Sequence, residues 1–142
     1  MVDEAVICDA SVLAAIVFGE PRSAEALALT RSRRLLAPTL LPYEMAQTAV
    51  AKCGCRPADA SRITRAFTES LRVSIRLLAP SWPAVVQVAQ ENGLSAYDAS
   101  YLHLALALRV PLATFDVRLA TTARAWGILA SPGECERRTQ GA

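Results

Sequence analysis

Four acidic residues fall where apolar runs end or predicted helices begin, and carboxylates gathered at such points are typical ligands of a metal ion. They are Asp9, Glu44, Asp98 and Asp116. Asp9 and Asp116 directly follow the apolar runs "AVIC" and "PLATF". Glu44 and Asp98 lie on apolar helix faces, where a carboxylate without a partner is costly. Since sites in α/β sheets lie beyond the carboxyl ends of the strands, we expect the four acids to meet in one pocket.

Four clustered carboxylates repel one another and hold raised pKa values unless a cation neutralises them. Oxygen ligands without histidine or thiolate indicate Mg²⁺, with Mn²⁺ as a substitute. An ion of this kind polarises a phosphodiester oxygen and orients the attacking water. The acids therefore predict a metal-dependent nuclease.

Helix capping is the alternative explanation for each acid taken singly. Asp9 and Asp116 are placed to be N-caps, Ser95 and Asp98 form an S-x-x-D capping box, and Glu44 in a first turn is favoured by the helix dipole. Caps do not require inward-facing side chains, however. Glu44 shares the inward face of its helix with Leu41, Met45, Thr48 and Ala49. Asp98 shares the apolar face of its helix with Leu94, Tyr97, Tyr101, Leu102, Ala105 and Leu106.

Alternating apolar runs and helical periodicity predict the elements that must position these acids. Strands are expected over residues 5–8, 34–38, 73–78, 111–115 and 127–130, and helices over 10–18, 23–32, 41–53, 58–71, 82–92, 94–110 and 117–126. This alternation predicts an α/β fold with a mostly parallel sheet of roughly five strands, covered by helices on both faces.

Composition indicates a single globular domain. The chain has 142 residues, of which 53% are hydrophobic and 20% charged. No apolar run suits a membrane span, and Asp3, Glu4 and Asp9 argue against a signal peptide, so we expect a cytoplasmic protein with no membrane partner. The cysteines, Cys8, Cys53, Cys55 and Cys135, lack the spacing of a zinc site and are expected to be reduced.

The basic residues supply a possible surface for nucleic acid. Of 13 acidic residues, 9 remain when the four site acids are set aside, against 15 basic ones. Arg31, Arg33 and Arg34 form one cluster; Arg62, Arg65 and Arg72 fall on nearly one helix face, with Arg76 beyond. The arginine guanidinium can donate two hydrogen bonds to one phosphate, so we expect Arg62, Arg65 and Arg72 to bind RNA. The alternative is a solvated basic face that binds no partner.

Four motifs, "CDASVLAAIVFGEP", "LLPYEMAQTAV", "GLSAYDASYLHLALAL" and "PLATFDVRLA", occur in this order and bring the acids 35, 54 and 18 residues apart. In these motifs the chain resembles PIN-domain ribonucleases, and most closely the VapC-type toxins of bacterial toxin–antitoxin pairs. The resemblance extends from about residue 6 to residue 130. It implies a PIN-like nuclease domain over residues 1–130, built as a three-layer α/β/α sandwich. The remaining residues, 131–142, show no helical or strand pattern, and we expect them to be a loose C-terminal tail.

The resemblance also implies roles for individual residues. Asp9, Glu44, Asp98 and Asp116 match the catalytic acids, with Asp9, Asp98 and Asp116 as the ligands of Mg²⁺. Ser11 and Thr114 match hydroxyl residues that orient carboxylates or metal-bound waters. The implied partners are an RNA substrate, a cognate VapB-type antitoxin and a second copy of the chain in a homodimer.

Other families fit the sequence less well. A response-regulator receiver needs a lysine after the last strand, whereas the single lysine, Lys52, lies inside a helix. Haloacid-dehalogenase-type phosphatases need D-x-D where this chain has "DAS". A non-catalytic, RNA-binding PIN relative is the alternative to the enzyme.

Overall fold

A computed structural model of the chain describes residues 4–132. Four strands alternate with seven helices, and a short 3-10 turn, Pro57–Asp59, precedes the fourth helix. The strands are β1 (Ala5–Cys8), β2 (Arg34–Pro38), β3 (Ile75–Leu78) and β4 (Leu112–Ala113). The helices are α1 (Ala10–Val17), α2 (Ser23–Thr30), α3 (Leu41–Cys55), α4 (Ala60–Ser70), α5 (Trp82–Asn92), α6 (Ala96–Leu108) and α7 (Val117–Ala125).

The four strands form one parallel sheet in the order β3-β2-β1-β4. Helices α1, α2, α3 and α4 contact one another as one group, while α6 packs against α5, α7 and the strands β1 and β2. The predicted α/β class and parallel sheet are therefore confirmed. Because every connection between parallel strands must cross over, the carboxyl ends of all four strands lie at one edge.

Strand β1 is central and buried along its whole length, which explains its unbroken apolar sequence. It pairs with β2 through Ile7 and Leu36, and with β4 through Ile7 and Leu112. The core around it includes Tyr101 and Leu102 of α6. Asp9 follows this strand directly, so its position is fixed by the most buried element of the fold.

The last two predicted strands are shorter than expected. Instead of a strand over residues 127–130, the described chain has a single parallel bridge between Leu112 and Leu129. Gly127, with φ at +72°, turns the chain after α7, and only Leu129 then lies in register. Strand β4 stops at Ala113, where the predicted 111–115 would continue, because the N–H of Phe115 donates to the Ser11 side chain. The sheet thus has four strands rather than five.

Other boundaries move by a few residues. Helix α3 continues through Gly54 to Cys55 and stops before Pro57, and the predicted helix over 58–71 is divided into the 3-10 turn and α4. A membrane crossing would require a longer apolar helix than any found between residues 4 and 132. Of the predicted tail over 131–142, only residues 131 and 132 are described, and Cys135 lies outside the described residues.

Candidate active site

The four acids follow strands or begin helices, as the sequence indicated. Asp9 and Asp116 are the N-cap residues of α1 and α7, and Glu44 and Asp98 lie in the first turns of α3 and α6. Asp9 is buried, Glu44 and Asp98 are half-buried, and Asp116 is exposed. The acids therefore range from buried to solvent-exposed.

The carboxylate of Asp9 is held by three donors. It is only 6% exposed. Its Oδ1 accepts the N–H of Ala10 at 2.8 Å, while Oδ2 accepts the hydroxyls of Ser11 and Thr114, each at 2.7 Å. Capping therefore uses one carboxylate oxygen, and the two hydroxyls fix the other.

Both hydroxyls also accept a backbone hydrogen bond. Ser11 Oγ accepts the N–H of Phe115 at 2.9 Å, and Thr114 Oγ1 accepts the N–H of Asp116 at 3.1 Å. These bonds tie the start of α1 to the loop between β4 and α7. The two residues predicted to orient carboxylates thus contact Asp9 directly and position the backbone at Asp116.

Glu44 is held by a residue whose contact the sequence did not predict. The hydroxyl of Tyr101, a side chain 0% exposed, donates to Glu44 Oε1 at 2.7 Å. Burial and the nearby charges of Glu44 and Asp9 raise the pKa of Tyr101 far above its ordinary value, so the phenol stays protonated and remains a donor. The available sequence signal was that Tyr101 lies one helical turn after Asp98.

Asp98 and Asp116 both take part in caps as well as in the acid cluster. The N–H of Asp98 donates to Ser95 Oγ at 3.1 Å, and Asp116 Oδ1 accepts the N–H of Leu119 at 2.8 Å. Capping and clustering are therefore compatible here, and the alternatives left open by the sequence coexist.

Burial and mutual repulsion together raise the pKa values of three of the acids. Burial raises the pKa of Asp9, with a further upward contribution from Asp116, against the lowering effect of its hydrogen bonds. Burial also raises the pKa of Glu44, as do the charges of Asp9 and Asp98. For Asp98, burial is the main cause of a raised pKa, followed by the charges of Asp116 and Asp9, while a hydrogen bond with the Ser95 side chain and the charge of Arg118 lower it. The four carboxyl groups thus share one electrostatic environment.

The chemistry of this donor set fits a hard divalent cation. Carboxylate oxygens are the ligands that Mg²⁺ and Mn²⁺ prefer, and a cation between them would relieve the repulsion that adds to burial in raising the pKa values of Asp9, Glu44 and Asp98. Within residues 4–132, no group of three His, Cys, Asp or Glu side chains has the spacing needed to hold a metal ion. The acids are therefore near one another without forming a closed ligand cage.

Several predicted neighbours lie elsewhere. Tyr97, expected on the apolar face of its helix, is 63% exposed because the first turn of α6 extends beyond the core. Arg72 is not on the helix face of Arg62 and Arg65, since α4 ends at Ser70. Arg62 is exposed and pairs with Asp59 at 3.3 Å.

The cluster at residues 31–34 is also divided. The side chain of Arg33 is 8% exposed, donates to the carbonyl of Leu29 at 3.0 Å and lies 3.7 Å from Glu4. The Arg33 side chain therefore makes its contacts within the protein, whereas Arg34 is exposed at the start of β2.

Comparisons with known proteins agree with this geometry. The PIN domain family model matches residues 6–125. Among solved structures, the chain is similar to PAE2754 from Pyrobaculum aerophilum, with a TM-score of 0.68 and 27% identity over 84% of this chain and 79% of that one. It shares a fold with Mycobacterium tuberculosis VapC20, a sarcin-ricin loop cleaving toxin, with a TM-score of 0.62 and 15% identity over 91% of this chain and 100% of that one. No curated protein sequence matches the chain.

The family match includes all four acids and both hydroxyl residues, and it covers most of the chain. The resemblance inferred from the four motifs is thereby confirmed. The chain belongs to the PIN-domain family.

Proposed function

We propose that this protein is a Mg²⁺- or Mn²⁺-dependent endoribonuclease, with Asp9, Glu44, Asp98 and Asp116 as its catalytic acids. The observation that carries the proposal is the buried carboxylate of Asp9, fixed by Ser11 and Thr114 and coupled to the charges of the other acids. Fixing one carboxylate so tightly next to three others costs stability. The cost is understandable if the cluster binds a cation.

Asp9, Asp98 and Asp116 would hold the ion, which when bound polarises the phosphodiester and stabilises the charge that develops during hydrolysis. The protein contributes orientation. Ser11 and Thr114 keep Asp9 in place, and they keep the backbone at Asp116 in register with it.

Glu44 is the acid best suited to accept a proton. Its pKa is raised by burial and by Asp9 and Asp98, which brings a carboxylate closer to the range of a general base. In the hydrolysis, water oxygen bonds to phosphorus, the bond from phosphorus to the leaving oxygen breaks, and the water proton passes to Glu44, while the leaving oxygen takes a proton from solvent. Tyr101 holds Glu44 in one orientation for this transfer.

RNA as the substrate and a toxin role are supported by the family and by a structural relative. VapC20 is a sarcin-ricin loop cleaving toxin, so this fold serves RNA cleavage in at least one protein. On that basis the partners would be a VapB-type antitoxin and a second copy of the chain. The neighbouring open reading frame should then encode a small protein that suppresses the growth arrest caused by this chain.

The direct test is cleavage of total RNA by the purified protein with Mg²⁺, with Mn²⁺ and with EDTA. We expect cleavage with either ion and none with EDTA. Asp98→Asn, purified by the same procedure, excludes a contaminating nuclease. Metal-independent binding of RNA without cleavage would instead identify a non-catalytic RNA-binding relative.

A further inference from the structure

A groove between α2 and α7 includes the residues on either side of Asp116 in the sequence. Its volume is about 420 Å³, and its walls include Arg22, Phe115, Val117 and Arg124. That volume lies within the range of about 300–1,000 Å³ found for small-molecule sites. The groove is large enough for one nucleotide.

Arg22 is held in a fixed plane at the side of this groove. Its Nε and Nη2 donate to the two carboxylate oxygens of Glu25, each at 2.8 Å, and the guanidinium carbon lies 3.8 Å from the centre of the Phe115 ring. The Arg22 side chain nevertheless remains 52% exposed. A flat guanidinium with an accessible surface is a platform on which unpaired bases stack.

The groove is connected to the acids through consecutive residues. Thr114 is part of the groove wall and donates to Asp9, and Phe115 lies between Thr114 and Asp116 with its N–H bonded to Ser11. Thr114 therefore belongs both to the groove wall and to the hydrogen bonds that hold Asp9.

The charge of the groove favours an anionic occupant. Glu25 neutralises Arg22, whereas Arg124, exposed in the last turn of α7, has no carboxylate at ion-pair distance within the described part of the chain. One uncompensated arginine next to a stacking platform matches the phosphate and base of a single nucleotide.

We infer that this groove binds the nucleotide adjacent to the cleaved bond in a single-stranded RNA, with the base stacked on Arg22 and its phosphate contacted by Arg124. The inference rests on the proposed function, since it assumes RNA as the ligand. It adds a binding subsite that does not include the four acids.

The test measures binding in EDTA, so that cleavage plays no part. Fluorescence anisotropy would follow a labelled pool of single-stranded RNA with the wild-type protein, Arg22→Lys, Arg22→Gln and Arg124→Gln. Arg56→Gln, an exposed arginine at the end of α3, controls for the loss of one positive charge. We expect roughly five- to tenfold weaker binding for the Arg22 variants. Arg124→Gln should lower the log–log salt slope by about 0.7.

The lysine variant separates stacking from charge, because lysine retains the charge and lacks the plane. With a pool of abasic RNA, wild type and Arg22→Lys should bind equally well. Equal affinity of wild type and all groove variants for ordinary RNA would overturn the subsite. A changed sedimentation coefficient in the groove variants, with unchanged RNA affinity, would overturn it as well by assigning the groove to contact between copies.

The two proposals can fail separately. Metal-dependent cleavage that is unaffected by the groove variants would leave the nuclease intact and remove the subsite. Groove-dependent RNA binding without cleavage in any metal would remove the nuclease and retain the subsite.

Discussion

Asp9 and Asp98 carry the same charge in different surroundings, and the difference decides which is the cleaner probe of the site. Oδ2 of Asp9 accepts two hydroxyls, so an amide nitrogen placed there would face donors. Asp98 is half-buried, and its carboxyl group contacts one hydroxyl, that of Ser95, whose oxygen also accepts the N–H of Asp98. Asp98→Asn therefore removes charge with less disturbance of structure.

We expect Asp98→Asn to fold normally and to lower the rate of RNA cleavage by at least about 100-fold. Loss of a residue that only hydrogen-bonds to a metal ligand typically costs about 10–100-fold in activity, and loss of a ligand itself should cost more. Cleavage rates with Mg²⁺ and circular dichroism measure the two effects. Glu91→Gln, which changes an exposed acid bonded to Gln87, is the matched control and should keep full activity. Full activity of repurified Asp98→Asn would remove Asp98 from the site.

Tyr101→Phe tests whether Glu44 needs its hydrogen bond. Removal of the hydroxyl leaves a half-buried carboxylate with one donor fewer, and we expect a loss of about 1–3 kcal/mol in unfolding free energy and roughly tenfold in kcat. Because the bond from Tyr101 lowers the pKa of Glu44, the acid limb of the pH–rate profile should move to higher pH.

The control for this variant is Tyr97→Phe, which removes an exposed hydroxyl from the same helix. It should change neither stability nor the profile. If the two variants show the same pH–rate profile as wild type, Tyr101 is only a core residue.

At the scale of elements, helix α4 offers a separate test of how RNA is bound. Its described surface carries Arg62 and Arg65, both exposed, and Arg72 follows two residues after its end. If each arginine contacts a phosphate, their joint replacement by Ala should flatten the salt dependence of RNA binding by roughly 0.7 in log–log slope per contact. Arg56→Ala, which removes one exposed arginine outside this set, is the control and should change the slope by no more than one contact. An unchanged slope would show that these arginines are solvated and do not contact RNA.

Local sequence predicted most element boundaries, because the residues that punctuate the chain act locally. Asp9 caps α1, Pro38 ends β2, and Gly93, with φ at +63°, ends α5, all as the patterns indicated. The strand over 127–130 was wrong, since register with Leu112 depends on how α7 packs and not on the apolar character of "GILA".

The acids of the candidate site were predictable for the same reason, whereas their partners were not. Each acid follows a strand or opens a helix, which periodicity reveals. The bond between Tyr101 and Glu44 joins residues 57 apart in sequence, and the stack of Arg22 on Phe115 joins a helix start to a loop. Such contacts depend on the packing of complete elements, which no local pattern encodes.

For the whole molecule, metal binding should appear as stability. A ligand that binds the folded state at a hundred times its Kd adds about 2.7 kcal/mol, which corresponds to about 5–10 °C in Tm for a chain of this size. We expect millimolar Mn²⁺ to raise the Tm of the wild-type protein and to have little effect on Asp98→Asn. An unmoved wild-type melting curve would contradict the ion site.

The pH dependence of the metal-free protein has a defined sign. Asp9, Glu44 and Asp98 hold raised pKa values, so the folded chain binds their protons more tightly than the unfolded chain. Their contribution to stability is complete below about pH 4 and is lost as pH rises through the raised values.

The test compares the Tm of the wild type with that of Asp98→Asn in EDTA, as the pH is raised from about 4 through the raised pKa values. The variant should gain over the wild type as pH rises, because it lacks one of the repelling charges. A gap between the two proteins that stays constant with pH would contradict the raised pKa of Asp98.

The central position of β1 also sets the order of events on the ribosome. It is synthesised before its neighbour β4, and the Thr114 hydroxyl that holds Asp9 comes 105 residues after Asp9. At roughly 5–20 residues per second, translation takes about 5–20 s to supply them. On the nascent chain the acids therefore stay apart until the segment with Thr114 and Asp116 has emerged.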